Sequence, residues 1–195
     1  MADVKHFDPD TVLDTVVRLF WKQGMATTGI QDIVNVTGLN RSSLYATFGG
    51  KQQLYTAALE RYVDERSRPN LGRLAEDDRG LPAVEEFFEN LIATRCTGEY
   101  AGWGCMVSNA HAGAENSEAD VRTILDRQHH RLRAALRDAL TAAKAKGQLG
   151  PGAEPGSAAE VLALLAHGVN LRSRAGADQD QLRRTICAAL TALTA

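Results

Sequence analysis

The sequence predicts an all-α protein of about nine helices. Apolar residues recur at helical spacing along most of the chain, and no segment alternates apolar and polar residues with the period of a strand. Capping residues and glycines separate the periodic segments. The 195 residues, 44% of them hydrophobic and 24% charged, suit a small N-terminal module joined to a larger helical domain. We expect these two units at residues 1–52 and 53–195.

The first helix has signals at both ends and an apolar stripe between them. Asp8 is a good N-cap, Pro9 suits the first helical position, and Gly24 ends the helix. The helical stripe consists of Val12, Leu13, Val16, Val17 and Phe20.

Two further short helices follow at once. Thr28 with Gln31 predicts a capping box, and Gly38 ends the helix that it opens. Asn40 can cap a third helix that runs roughly to Phe48. Two short helices joined by a tight turn that contains glycine are the build of a DNA-reading helix-turn-helix, which predicts transcriptional control.

The middle of the chain is predicted to contain a long helix, a linker and another helix. The long helix begins near Lys51 and frays in the charged Glu65–Arg68 run before Pro69. Residues 69–82 read as a linker, and the next helix covers Pro82 to Cys96.

Glycine-rich segments and capping residues divide the rest. A loop over residues 98–104 precedes a short helix from Cys105 to about Ala112. Residues 150–156 form a second loop. The remaining helices are predicted to open at three capping boxes, Ser117 with Asp120, Ser157 with Glu160, and Asp178 with Gln181, and the first of them reaches about Lys146.

Composition favours a protein of the reducing cytoplasm without a membrane segment. No apolar run reaches the length of about 18 residues that a membrane span needs. The polar, acidic N-terminus does not suit a secretory signal. Cys96, Cys105 and Cys187 lack CxxC spacing and fit free thiols better than disulfides.

The third helix carries the chemistry of base and phosphate recognition. Arg41 can pair with guanine or clamp a phosphate, Asn40 can pair with adenine, and the Tyr45 phenol suits a phosphate oxygen. The complete set of predicted DNA contacts is Thr27, Thr28, Asn40, Arg41, Ser42, Ser43, Tyr45, Thr47 and Lys51.

The first 60 residues resemble the TetR family of one-component transcriptional regulators. This resemblance implies a three-helix DNA-binding domain, a six-helix C-terminal domain, a homodimer formed by the last two helices, and repression relieved by a ligand. Thr47 stands where many relatives have histidine, and Gly49 where proline is common. The matching residues are Phe20, Gly24, Thr27-Thr28, Ile30, Asp32-Ile33, Thr37-Gly38-Leu39, Arg41-Ser42-Ser43-Leu44-Tyr45, Phe48, Lys51 and Leu54.

Other classes of function have weaker support. No nucleophile–base motif, phosphate loop or metal-ligand spacing points to an enzyme, and we expect no cofactor. A helical protein-interaction module stays open as an alternative. Cys105 could join His111, His129 or His130 at a metal, but adjacent histidines point about 100° apart on a helix, so no metal site is predicted.

The segment around Gly104 and Cys105 resembles a signature of one branch of the family, in which some members sense electrophiles or oxidants. A thiol at a helix N-terminus gains thiolate character, which favours this function. The alternative is a small buried apolar residue. For an uncharged organic ligand, the predicted pocket residues are Phe87, Phe88, Leu91, Tyr100, Trp103, Met106, Asn109, Leu125 and Asn170.

The last two helices carry the predicted dimer contacts. Apolar residues surround much of the first of these helices, which suits a four-helix bundle with a second copy. A two-fold dimer would place its reading helices about 34–36 Å apart, or further, on a pseudopalindromic operator. The residues concerned are Val161, Leu162, Leu164, Leu165, Val169 and Leu171.

Overall fold

The computed structural model describes residues 7–195 and confirms the all-α prediction. The helices of this part are α1 (Pro9–Gln23), α2 (Ile30–Thr37), α3 (Arg41–Phe48), α4 (Lys51–Tyr62), α5 (Arg68–Glu76), α6 (Leu81–Cys96), α7 (Met106–Ala112), α8 (Ala119–Ala145), α9 (Pro155–Arg174) and α10 (Gln179–Thr191). A π-helical turn, Val63–Ser67, joins α4 to α5, so these two form one rod and residues 7–195 hold nine helices. None of the described helices has the length and apolar character needed to cross a bilayer.

Three of the predicted N-caps are confirmed. The Asp8 carboxylate accepts hydrogen bonds from the backbone N–H groups of Asp10 and Thr11. Asn40 Oδ1 accepts from the Ser43 N–H at 2.8 Å, and the Asp178 carboxylate accepts from the Gln181 N–H at 3.0 Å. These caps form between neighbours in the chain, which is why the sequence predicts them well.

The other three predicted capping boxes are wrong. At α2 the cap is Gly29, whose N–H donates to Asp32 Oδ2 at 2.8 Å. Ser117 lies in a 3-10 turn that precedes α8, and its hydroxyl donates to the Ala114 carbonyl. Ser157 lies inside α9, because that helix already begins at Pro155, and proline suits a first helical position.

The predicted linker over residues 69–82 is also wrong for its first half, because the helix continues to Glu76. In the π-helical turn the Arg68 N–H bonds to the carbonyl of Val63, five residues earlier. This extra residue in the turn brings Pro69 to the second position of α5, where its missing N–H is tolerated. The result is a rigid connection where the sequence predicts a flexible one.

Two clusters of buried side chains hold the molecule together. One lies among α6, the second half of α8, α9 and α10. The other joins α1–α4 to Cys105, Met106, Val121 and Leu125, which belong to the C-terminal part of the chain. The helix-turn-helix unit therefore shares a core with the larger domain, and the proposed boundary after residue 52 stays a prediction.

The junction of the two units centres on Trp21, near the end of α1. Its buried ring packs against Tyr62, Tyr100 and Trp103, and Nε1 donates to the Gly104 carbonyl at 3.0 Å. Gly104 has φ +68°, and a Cβ there would lie 2.9 Å from the Asn170 carbonyl oxygen. Glycine therefore lets the backbone come close enough to accept this bond.

Candidate DNA interface and sensing cavity

Helix α3, the predicted reading helix, presents a polar face to solvent and one apolar anchor to the core. Arg41, Ser42 and Tyr45 are exposed, and Leu44 is buried. The Arg41 guanidinium donates to Gln31 Oε1 at 3.3 Å, so α2 holds it loosely at the end of α3. Ser43 and Thr47 are partly exposed. This face offers a guanidinium, hydroxyls and a phenol, which suit contacts to base edges and phosphates.

The remaining predicted DNA contacts also hold local structure. The Thr28 side chain is buried, and its hydroxyl donates to the Gly24 carbonyl at 2.6 Å. Lys51 Nζ donates to the carbonyls of Met25 and Thr28, at 3.0 and 2.9 Å. The oxygen of Asn40 caps α3, so pairing that oxygen with a base would remove the cap. Thr27 lies at the surface, where its hydroxyl donates to the Gln23 carbonyl.

A cavity of about 490 Å³ lies between α6 and the α5 end of the rod. We call it the outer chamber. An inner chamber of about 80 Å³ adjoins it and extends to α7, α8 and α9. Five residues line both chambers, namely Ser67, Asn70, Phe87, Leu91 and Arg95.

The structure brings three of the nine predicted pocket residues to these chambers, namely Phe87, Leu91 and Asn170. Tyr100 and Trp103 pack around Trp21 instead, and Asn109 donates to the Trp103 carbonyl. Phe88, Met106 and Leu125 are fully buried in the two cores. The sequence prediction missed the polar lining residues Arg95, Ser108, Gln128 and His167. A signal existed for Arg95, which follows Phe88 and Ile92 on the apolar face of α6.

Cys105 lies just before α7 at the wall of the inner chamber. The Tyr62 hydroxyl donates to its sulfur at 3.4 Å, and Arg95 donates in turn to that hydroxyl at 3.3 Å. Burial is the main cause that raises the pKa of Tyr62 far above its usual value, so this hydroxyl stays a donor. The side chain of Cys105 is only 8% exposed, which limits access from solvent.

Three histidines pack together beside the inner chamber. The ring centroid of His167 lies 5.2 Å from that of His111 and 5.7 Å from that of His129. His167 Nδ1 lies 3.0 Å from the Ser108 hydroxyl. Burial, and then the two neighbouring imidazoles, lower the pKa of His167 from 6.5 to about 4. No group of three or more His, Cys, Asp or Glu residues within residues 7–195 has an arrangement that could hold a metal ion.

Comparisons with known proteins assign both units. Residues 12–58 match the family described as "Bacterial regulatory proteins, tetR family", and residues 80–189 match "Tetracyclin repressor-like, C-terminal domain". The second match alone covers more than half of the chain. The chain belongs to the TetR family. It is therefore a helix-turn-helix DNA-binding transcriptional regulator and not an enzyme.

Curated relatives and solved structures agree with this assignment. The chain is 28% identical over 178 residues to the transcriptional repressor ComR of Escherichia coli, covering 91% of this chain and 85% of ComR. It is 25% identical over 194 residues to the regulator YezE of Bacillus subtilis, covering 99% and 100% of the two chains. A cysteine-substituted CifR complexed with a 26-bp operator duplex has a TM-score of 0.84 at 22% identity, over 98% of this chain and 100% of that one. The reduced form of E. coli NemR has a TM-score of 0.77 at 21% identity, over 92% and 93%. At these identities the two structures support the TetR fold alone.

The histidine cluster predicts a pH dependence of stability in this TetR regulator. Because the folded state lowers the pKa of His167, the unfolded chain takes up its proton first as the pH falls. The contribution of neutral His167 is therefore complete above its unfolded pKa of 6.5 and is lost as the pH falls towards about 4. His167→Gln, which cannot titrate, should flatten the fall of the free energy of unfolding between pH 7 and pH 4.5. Urea unfolding followed by circular dichroism measures the free energy of unfolding at each pH.

His130→Gln is the matched control, because His130 is exposed on α8 and its ring centroid lies 6.3 Å from that of His129, at the edge of the cluster. That variant should keep the wild-type slope. Equal slopes for wild type and His167→Gln would contradict the assignment of the acid sensitivity to His167.

Proposed function

We propose that this TetR regulator is a repressor that a small molecule releases from a pseudopalindromic operator. The observation that carries the proposal is the continuous rod formed by α4, the π-helical turn and α5. At one end Lys51 holds the turn between α1 and α2, and at the other end Asn70 and Arg73 line the outer chamber. A ligand that moves this end of the rod therefore has a direct mechanical route to the DNA-binding unit.

The relatives support the repressing direction. ComR and BdcR of E. coli are both named as repressors, and CifR has been solved on its operator. With a net charge of −2, this chain has little general attraction for DNA, so one reading unit is expected to bind weakly. Two units held in register would supply the affinity and the sequence specificity.

The proposed signal passes from the cavity to α1 through Arg66, which belongs to the π-helical turn. Its guanidinium lies over the ring of Trp21, 5.0 Å from the centroid, and over Tyr100 at 4.7 Å. A ligand at the outer chamber would displace the turn, and Arg66 would carry that displacement to Trp21. If the ligand binds the DNA-incompetent arrangement more tightly, operator affinity falls by linkage.

An exposed apolar stripe on α9 supports the proposed dimer. Val161, Leu164 and Leu171 lie on one side of the helix, and Leu164 is 67% exposed. Leu162 and Val169, in contrast, are buried within the same subunit. Large exposed aliphatic side chains in a row suit an interface between copies. A two-fold axis at this stripe would pair α9 and α10 with their copies as a four-helix bundle.

Arg41→Ala should weaken binding to the operator by about 1–3 kcal/mol, because a bidentate contact to guanine has this value. Fluorescence anisotropy with the operator upstream of the protein's own gene measures the affinity. Arg137→Ala, an exposed site in the middle of α8, is the control and should bind normally. Unchanged affinity for Arg41→Ala would remove Arg41 from the DNA contacts.

Leu164→Glu should convert the dimer to monomers at micromolar concentration, because it places a charge in the centre of the proposed apolar interface. Sedimentation velocity measures the mass. Thr141→Glu, exposed on α8, is the control and should stay dimeric. A dimer that survives Leu164→Glu would place the interface elsewhere.

A thiol sensor built on Cys105 is the second candidate, favoured by the Tyr62 donor and the nearby guanidinium of Arg95. A positively charged, donor-rich environment is typical of reactive cysteines. N-ethylmaleimide should then modify Cys105 and release the operator, and Cys105→Ser should abolish the release. Mass spectrometry identifies the modified cysteine, and fluorescence anisotropy measures operator affinity on the same samples. Modification confined to the exposed Cys187, or a Cys105 adduct that leaves operator affinity intact, would contradict this candidate.

A further inference from the structure

Each acidic residue that lines the outer chamber forms an ion pair with an arginine outside it. Glu65 forms an ion pair with Arg61. Asp77 and Glu86 both pair with Arg79. Neither Arg61 nor Arg79 lines either chamber. The carboxylates of the lining are therefore not the counter-ions of the basic residues beside them.

The basic residues of the same lining are Arg66, Arg73 and Arg95. None of the ion pairs formed among residues 7–195 includes any of the three. Arg66 stacks on aromatic rings, and Arg73 donates to the side-chain oxygen of Asn70. Three positive charges thus face the chamber with only neutral groups as partners.

Arg95 is the extreme case, because it is 9% exposed and lies where the two chambers meet. Its Nε donates to Asn170 Oδ1 at 2.6 Å, and one terminal nitrogen donates to the Tyr62 hydroxyl. A buried charge is strongly unfavourable unless an opposite charge compensates it. The Arg95 guanidinium is buried among polar but uncharged groups, and an anion bound beside it would supply the missing opposite charge.

A second buried donor in the inner chamber lacks an acceptor. Gln128 is 5% exposed, and its Nε2 has no hydrogen-bond partner in the described part of the chain. Its Oε1 accepts from Arg131, which fixes the nitrogen on the other side of the amide. Gln128 and Arg95 both line the inner chamber, so an acceptor group of a ligand could satisfy both.

We propose that the ligand of this cavity is an organic carboxylate with an apolar body. The inference rests on the proposed ligand-responsive function and adds the chemical class of the ligand, which the sequence leaves unidentified. The carboxylate is held by Arg95, with Arg66 and Arg73 adding positive charge at the outer chamber. The apolar body lies on Phe87 and Leu91, which line both chambers.

This ligand also acts on the proposed signal route. Arg66 is shared between the chamber and the ring of Trp21, so an anion in the chamber competes with the ring for the guanidinium. A neutral molecule of the same shape lacks that attraction. Charge is therefore the property that the test varies while size and shape stay constant.

The test uses full-length protein with two matched pairs of probes, 2-naphthoate with 2-naphthamide and octanoate with octanamide. Isothermal titration calorimetry measures their dissociation constants. At least one carboxylate should bind tenfold or more tightly than its amide, since hydrogen bonds to a charged group are roughly twice as strong as neutral ones. Equal affinities within both pairs, or no binding of either carboxylate up to about 10 mM, would overturn the proposal.

Variants locate the site. Arg95→Gln should lower carboxylate affinity by about 10- to 100-fold and leave amide affinity nearly unchanged. Arg66 is half-buried, so its site tolerates a glutamine more easily than the site of Arg95 does. Arg66→Gln should lower carboxylate affinity by at least about threefold, and it replaces Arg95→Gln as the test if that variant does not fold. Arg68→Gln is the control, because Arg68 belongs to the same rod but pairs with Asp64 outside the chambers. Full carboxylate affinity in the folded variants would overturn the proposal.

A carboxylate site and the proposed function can fail separately. Operator release is measured by anisotropy with the same four probes. If a carboxylate binds through Arg95 and the operator stays bound, the anion site stands and the release function fails. If an amide releases the operator as well as its carboxylate does, the function stands and the anion site is wrong.

Discussion

The hydrogen bond from Trp21 to the Gly104 carbonyl is the contact on which the rest of the molecule depends. It joins the end of α1, in the DNA-binding unit, to the loop before α7, in the larger domain. Arg174, at the end of α9, strengthens the junction by donating to the carbonyls of Trp21 and Lys22. The bond is buried, and aromatic rings and the Arg174 guanidinium lie around it, so we propose that the orientation of α1 follows the position of this loop. In the proposed mechanism, a signal that reaches the loop or the neighbouring π-helical turn therefore acts on α1.

The π-helical turn is the part of the rod that contacts both the Trp21 junction and the two chambers. Single π-helical turns within α-helices occur often at functional sites. Here the turn carries Arg66 against the Trp21 ring and Ser67 against both chambers. The arginines without ion pairs, the junction and the cavity are thus neighbours, and we propose that the charge of a ligand is the input for a change in the reading unit.

The sequence predicts most helices because their ends are set by neighbours in the chain, as at Asp8, Asn40 and Asp178. It fails at Pro69, because proline usually ends a helix, whereas here the π-helical turn places Pro69 at the second position of α5. The polar, exposed face of α3 is predictable from its order of residues. The cavity is not, because Arg95, Gln128 and Asn170 lie on three different helices and meet only in the folded chain.

We propose that the cavity sets the orientation of the reading units through this junction. Double electron–electron resonance between spin labels at Gln53→Cys in the two subunits of the proposed dimer, in a background with Cys96, Cys105 and Cys187 replaced by serine, measures that orientation directly. We predict that the distance distribution measured with operator DNA differs from the one measured with the carboxylate probe that binds. Adding this probe to the operator complex should shift the distribution towards the one measured with the probe alone. Identical distributions with operator and with the bound carboxylate would contradict the account.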